Sequence, residues 1–365
     1  MTAAAQPVPE STVAIRVRHV SKGYPGVQAL RGVNFDLLTG EVHGLVGANG
    51  AGKSTFIRML SGASRPDTGE IEVGGAPLFF DDPRHQRAAG IAAIYQELTI
   101  IPEMTALSNA FLGEVPQRLG LTDRRRMRAR YAELSAWMGL SIPPDVRAGT
   151  LSVASQQMLE IMRAVLADRR VLIMDEPTAP LGPFERDRLY ALIGRLVARG
   201  VSIIFISHDL DEVLRLCGRV SVMRDGQLVA TRPSAAWSKE SLVQAMLGDV
   251  TIAPGERRPT AGRPPLLSVA DLHVPGRAEG IGFTLHAGEV LGIAGLVGAG
   301  RTEVLRAIAG AEPASGGRLE LDGRPVDWPD GVRAAIARGI VLAPEDRKRQ
   351  GLVLSRPSLA NLLLA

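Results

Sequence analysis

The chain has 365 residues, 45% hydrophobic and 22% charged, with a formal net charge of +4; that length suits two domains, each able to bury a core. So small a net charge argues against a dedicated nucleic-acid binder, which needs a strongly basic surface, and the single cysteine, Cys217, excludes an intrachain disulfide and suits a reducing compartment. No apolar run approaches the roughly 18 residues of a membrane span, so any membrane role is expected to be peripheral.

In chain order, residues 1–12 (MTAAAQPVPEST) have neither a basic flank nor an apolar h-region, and are expected to be a short disordered lead rather than a signal peptide. Residues 42–46 read as a buried strand and residues 55–60 as a helix ending near Gly62. Between them, Gly47-Ala-Asn49-Gly50-Ala-Gly52-Lys53-Ser54 fits GxxxxGK[ST] in the strand–loop–helix context that motif requires. Its glycines let backbone N–H groups turn toward phosphate, and the helix N-terminus adds a favourable dipole. The pattern predicts a bound nucleoside triphosphate, with Lys53 on the β- and γ-phosphates and the Ser54 hydroxyl on Mg2+.

The segment from about residue 98 to 150 has helical patterning and no convincing strand, which predicts a helical subdomain over about 98–158. Within it, RRRMRAR (124–130) follows Thr122 and Asp123, either of which would cap a helix. It reads as a solvated helix face, with contact to acidic headgroups or a membrane protein as the alternative. The runs VLIM (171–174) and VSIIFIS (201–207) are short, apolar and β-branched, and read as buried parallel strands separated by a helix over 183–199. This alternation predicts an α/β fold with both sheet faces covered. Asp175 and Glu176 follow VLIM at the C-terminal end of a strand, where such sheets bind ligands. Asp175 is expected to hold Mg2+ through water, and Glu176 to orient or deprotonate an attacking water, an effect worth about 10²–10⁴ in rate.

A Pro-, Gly- and Arg-rich stretch at 249–265 reads as a linker and tether. Beyond it the chain repeats itself: GEVHGLVGANGAGKST (40–55) and GEVLGIAGLVGAGRTE (288–303) share eight of sixteen positions, and GIAAIYQE (90–97) answers GIVLAPED (339–346). Tandem copies of one domain follow, the first over 13–248 and the second over 266–365. The second is expected to carry its opening strands and phosphate loop but to be incomplete, so that the chain is a truncated two-domain protein.

GANGAGKST, YQE (95–97), LSVASQQMLEI (151–161), VLIMDEPTA (171–179), FISHDLDEV (205–213), GLVGAGRTE (295–303) and EDRKRQGL (345–352) together resemble the ABC transporter ATPase family. The last two motifs narrow the resemblance to the duplicated ATP-binding subunits of bacterial monosaccharide importers of the ribose, galactose and xylose type. It implies a P-loop NTPase (ABC ATPase) with a parallel-sheet core, an antiparallel β subdomain and a helical subdomain, using ATP and Mg2+. By the resemblance, Gly47, Asn49, Gly50, Gly52, Lys53, Ser54 and Thr55 hold phosphate, Tyr24 stacks on adenine, and His208 contacts the γ-phosphate. Gln96 contacts Mg2+ and the attacking water and senses a membrane partner. Residues 151–157, with Ser152 and Ala154, cap the γ-phosphate bound on the opposite domain, while Gly295, Gly300, Arg301 and Thr302 form the second loop.

The partners implied are transmembrane permease subunits, an extracytoplasmic sugar-binding protein acting through them, and a pairing of two ATP-binding domains at the cytoplasmic face of the membrane, with no nucleic acid. Five positions depart from the family pattern: Ala154 for glycine, Ser155, Gly182, Arg301 for lysine, and Glu345 where the first copy has Gln96. All but Gly182 fall on the composite site built around Arg301. The expectation is that the Lys53 site hydrolyses ATP and the Arg301 site mainly binds it. Should the backbone at Ala154 need positive φ, its Cβ costs about 1 kcal/mol. Two readings compete with an importer motor: a soluble ABC ATPase acting on ribosomes or DNA, and a regulatory nucleotide-binding module with little turnover. The cargo is open to a nucleoside or another small polar solute.

Overall fold

A computed structural model describes residues 13–80, 89–95, 98–248, 262–295, 298–344 and 350–364. The chain divides into two compact units, Met1–Ile252 and Ala253–Ala365. The lead at 1–12, most of the linker, Gln96 and Glu345 lie outside the described residues.

The first unit is built on two sheets. One is antiparallel, in the order β2 (Val27–Leu38), β1 (Val13–Tyr24), β4 (Thr68–Val73), β5 (Ala76–Pro77). The other has the order β12 (Gln227–Pro233), β11 (Arg219–Arg224), β3 (Val42–Gly47), β10 (Ser202–Ile206), β9 (Val171–Asp175), β6 (Ile91–Ile94). All its neighbours are parallel except the β11–β12 hairpin. Successive side chains of β9 and β10 enter opposite cores. Leu172, Met174, Ile203 and Phe205 pack with the helices Arg124–Met138, Val153–Leu166 and Pro183–Val197. Val171, Ile173, Ile204 and Ile206 pack with the helix Lys53–Leu60 and the antiparallel sheet. This period of two inside an unbroken apolar run is what a sheet covered on both faces demands. Each such side chain contributes about 1.5–3 kcal/mol, so β9, which ends at Asp175, and β10, which leads to His208, are firmly held.

Several expectations are corrected. The helix after the phosphate loop starts at Lys53, two residues before the apolar pattern announces it. The segment read as strand-free contains a hairpin, β7 (Gln117–Arg118) with β8 (Leu121–Thr122), whose turn is left-handed at both Leu119 (φ 53) and Gly120 (φ 79). With Leu119 and Leu121 exposed, it has no buried face to write an alternating pattern. The helix Arg124–Met138 is capped by Asp123, whose carboxylate accepts from Arg126 N at 2.9 Å, and Thr122 belongs to β8 instead. It buries Met127, Tyr131, Ser135 and Met138 and leaves the arginines on the outside.

The second unit has an antiparallel sheet β14 (Ala278–His286), β13 (Pro265–Val274), β15 (Gly316–Leu321), β16 (Arg324–Val326), and a helix Arg301–Ile308. Leu267, Val269, Leu272, Val274, Val304, Ala307, Ile308 and Leu319 make its core. The opening strand expected before its glycine loop is absent: residues 291–295 have no regular structure, and Val290, Leu291 and Ile293 are exposed. The physical reason is pairing. In the first unit, β3 is hydrogen-bonded between β10 and β11, both from far downstream. Among the described residues, the second unit has no counterpart of either, and a parallel strand without neighbours cannot satisfy its backbone.

Candidate nucleotide site

The strand β3 ends at Gly47, and the chain turns through residues 48–52 into the helix Lys53–Leu60. The turn is left-handed at Gly50 (φ 81) and at the N-cap Gly52 (φ 103). At Gly52 a Cβ would also lie 2.6 Å from Ala29 O, so only glycine fits there. No side chain caps this helix and no acidic residue sits in its first turn. Its leading N–H groups and positive dipole end are therefore left for an anion from outside. Lys53 folds back over the loop, its Nζ donating to the carbonyls of Gly47 (2.6 Å) and Ala48 (3.0 Å).

Opposite the loop stand Asp175, the last residue of β9, and Glu176, the first beyond it. Glu176 is left-handed (φ 50), a conformation that costs a residue with a Cβ about 1–2 kcal/mol. Its N–H donates to Ile206 O at 2.9 Å, tying this turn to the end of β10. His208, two residues past β10, places Nδ1 3.3 Å from Glu176 Oε2 while its ring stays mostly exposed. Burial lowers the Lys53 ammonium from its usual pKa, opposed by the charges of Asp175 and Glu176. Burial pushes the Asp175 carboxyl up, the Glu176 charge adds to this, and Lys53 opposes it. The site is thus short of positive charge near Asp175 and short of negative charge at the helix N-terminus.

A cleft of about 500 Å³ joins the loop to Asp175 and Glu176, while Gly47 and His208 lie outside its lining. It is lined by Tyr24, Asn49, Gly50, Gly52, Lys53, Ser54, Thr55, Asp175 and Glu176. Tyr24, at the end of β1, is 42% exposed, a flat apolar face at the mouth. The structure adds lining residues that the sequence did not mark: Val27, Gln28, Ala29 and Arg31 from β2, and Asp225 and Gly226 from the β11–β12 turn. Asp-Gly between two strands is a hairpin signal, but nothing local reports that this turn packs on the phosphate loop. Gly226 N donates to Ala51 O at 3.1 Å, and Arg31 N donates to Gly226 O at 2.8 Å.

Ser152 and Ala154 are not in this cleft. They line a smaller pocket of about 200 Å³ with Leu140, Ile142, Met158, Glu185 and Arg188. Ser152 caps the helix Val153–Leu166, accepting from Ser155 N at 3.2 Å, and donates to Ser155 Oγ at 3.0 Å. Ala154 is the second residue of that helix and has no positive φ, so the condition under which its Cβ would cost strain is not met. In the second unit, the helix Arg301–Ile308 keeps the same entry: Gly300 has φ 81, and a Cβ there would lie 2.6 Å from Arg277 O. The Arg301 side chain lies over Gly295, and Arg301 and Thr302 are exposed. Unlike the first copy, this helix has Glu303 in its first turn, a charge that already complements the dipole and repels phosphate.

The ABC transporter family profile matches residues 30–179 and 278–353. The chain belongs to that family. It is 47% identical over 349 residues to the ribose import ATP-binding protein RbsA 1 of Streptomyces avermitilis, which covers 95% of this chain and 66% of that protein. It is 44% identical to the ribose import ATP-binding protein RbsA 1 of Rubrobacter xylanophilus (96% and 70%). It is 41% identical to the arabinose import ATP-binding protein AraG of Rhizobium meliloti (96% and 69%). The chain therefore spans about two thirds of the length of these relatives. Among solved structures, a nucleotide-free ATP-binding cassette from an ABC transporter matches with a TM-score of 0.57 at 24% identity, covering 65% of this chain and 96% of that one. An ATP-binding cassette in its ADP conformation matches at 0.55 and 25%, with coverage of 65% and 96%. These likenesses establish the cassette fold.

Proposed function

We propose that this chain binds Mg2+-ATP in the Lys53 cleft, hydrolyses it there, and drives import of a monosaccharide as the motor subunit of an ABC importer. One observation carries the reading: an uncapped helix N-terminus with its lysine faces two carboxylates at the end of a buried strand across a single cleft. The donor set fits Mg2+, a hard ion that takes one or two carboxylates, a hydroxyl and substrate oxygens rather than an all-protein cage. Ser54 and Asp175 would hold it, and when bound it would neutralise charge developing on the phosphates. The raised Asp175 carboxyl means that a cation beside it relieves an electrostatic cost the protein already carries.

The chain's own residues divide the remaining tasks. The amides and Lys53 bind phosphate, Tyr24 offers a stacking face for the base, Glu176 accepts the proton of an attacking water, and His208 stands beside Glu176 to contact the terminal phosphate. Gln96 would contact the water and the ion. The Arg301 loop, already bearing Glu303, would hold nucleotide more weakly and turn it over little. The names of the relatives cover ribose, arabinose and galactose import, which supports the class of sugar rather than one member. A permease, and through it an extracytoplasmic sugar-binding protein, are the partners this reading requires, and the chain would sit at the cytoplasmic face of the membrane.

Calorimetric titration with Mg2+-ATP and a phosphate-release assay test it. Lys53→Ala should weaken binding about tenfold or more, since hydrogen bonds to charged groups are worth about 1.5–3 kcal/mol. Glu176→Gln should keep affinity and lose about 10²–10⁴ in turnover. A wild-type chain with no affinity for Mg2+-ATP overturns the reading.

A further inference from the structure

Among the buried carboxylates that the mechanism leaves unused is that of Glu212, on the helix Leu210–Leu216 and only 6% exposed. Four donors converge on it. Thr178 Oγ1 donates to Oε2 at 2.8 Å and Ser207 Oγ donates to the same oxygen at 3.0 Å. Tyr190 OH donates to Oε1 at 2.7 Å, with Arg186 Nη1 3.3 Å from it. Thr178 lies two residues beyond Glu176, and Ser207 immediately precedes His208. Tyr190 and Arg186 belong to the helix Pro183–Val197. Ser207 Oγ also accepts from Asp209 N at 3.0 Å, while its own proton goes to Glu212. Burial, with the Glu212 carboxylate beside it, pushes the Tyr190 hydroxyl far up, so it remains a donor.

We infer that Glu212 is a positioning residue for hydrolysis: its carboxylate locks the Thr178 turn and the Ser207 turn in one register, and so holds Glu176 and His208 at reacting distance. The inference rests on the reading of Glu176 as the group that activates water. Glu176 sits in a left-handed conformation that the chain does not favour by itself. The backbone bond from Glu176 N to Ile206 O fixes one end of that turn, and Thr178 on Glu212 fixes the other. An ionised carboxylate is acceptor-only and serves all four donors. An amide of the same shape replaces one oxygen with a donor and opposes either the two hydroxyls or the Tyr190–Arg186 pair.

The test compares Glu212→Gln, Thr178→Val and Thr178→Ser in the full chain, by Mg2+-ATP affinity and by released phosphate at saturating nucleotide. Displacing a reacting group by about 1 Å costs up to about a hundredfold. Glu212→Gln and Thr178→Val are therefore expected to lower turnover by about tenfold to a hundredfold with affinity within about twofold, and Thr178→Ser, which keeps the hydroxyl, to restore most of it. In a Glu176→Gln background, Glu212→Gln should lower the residual rate by less than it does in the wild type, because one of the two groups it positions is already gone. Full turnover in Glu212→Gln overturns the inference, as does an equal loss in both backgrounds or a fall in affinity that matches the fall in rate. If Glu212→Gln does not fold, a Thr178→Val chain as active as Thr178→Ser overturns it instead. A wild-type rate untouched by Glu176→Gln refutes the parent reading, a result separate from any outcome of the Glu212 variants.

Discussion

Substituting Gly226 by alanine tests whether the β11–β12 hairpin holds the phosphate loop. Gly226 has φ 76, and a Cβ on it would lie 2.7 Å from Ala29 O, 3.1 Å from Ala29 C and 3.3 Å from Leu30 Cα. These are backbone atoms of β2, so no rotamer change relieves the overlap. The left-handed conformation costs alanine about 1 kcal/mol relative to glycine, and overpacking against fixed atoms costs about 1–3 kcal/mol more. A loss of about 2–4 kcal/mol should lower Tm by roughly 4–16 °C at about 2–4 °C per kcal/mol for a unit of this size. Gly74 is the control: it also has positive φ (59), but nothing lies within 4 Å of a Cβ there, so alanine should cost only about 1 kcal/mol. Because Gly226 N donates to Ala51 O inside the loop, Gly226→Ala should also weaken Mg2+-ATP binding by about tenfold, the equivalent of about 1.4 kcal/mol. Gly74→Ala should leave binding unchanged. Thermal melts and calorimetry decide it: equal Tm shifts and equal affinities for the two variants would refute the argument.

The other predictions concern protons. Since burial and the Glu176 charge raise the Asp175 carboxyl, a proton would compete there with Mg2+ if Asp175 holds the ion as proposed. The increment that Mg2+ adds to ATP affinity should therefore grow as pH rises through the Asp175 pKa, and a pH-independent increment, measured against EDTA controls, argues the opposite. In the free chain the same raised carboxyl contributes stability at acid pH that is lost as pH rises through its folded value. Glu41 behaves in the reverse sense. Burial raises it, but hydrogen bonds with His43 and Arg219 and from Leu38 N prevail and bring its pKa from 4.5 to about 2. Its contribution of roughly 3 kcal/mol is present above the unfolded value and lost as pH falls toward the folded one. Glu41→Gln should be less stable in urea at pH 7 and nearly equal to wild type near pH 2, and a constant difference at both would contradict this.

The Lys53 loop, Asp175 and Glu176 were legible in the sequence because each is specified locally. GxxxxGK[ST] sits between a strand and a helix pattern, and four buried apolar residues run straight into the carboxylates. Asp225 and Gly226 carried a hairpin signal but no hint of what the hairpin touches, and Glu212 reads as one more acidic residue of a short helix. The second copy shows the same limit from the other side. Residues 290–294 resemble β3 in composition, yet they form no strand.

What the sequence determined by itself is therefore chemistry tied to short-range geometry: where the GxxxxGK[ST] loop lies, which carboxylates end the neighbouring strand, and that one domain pattern occurs twice. Only the tertiary structure decided which distant residues complete the site, why Glu176 can hold a left-handed turn, and which apolar run becomes a strand. The physical reason is that a strand or a buried carboxylate is stable only when its hydrogen-bond partners are supplied, and here those partners come from segments far away along the chain.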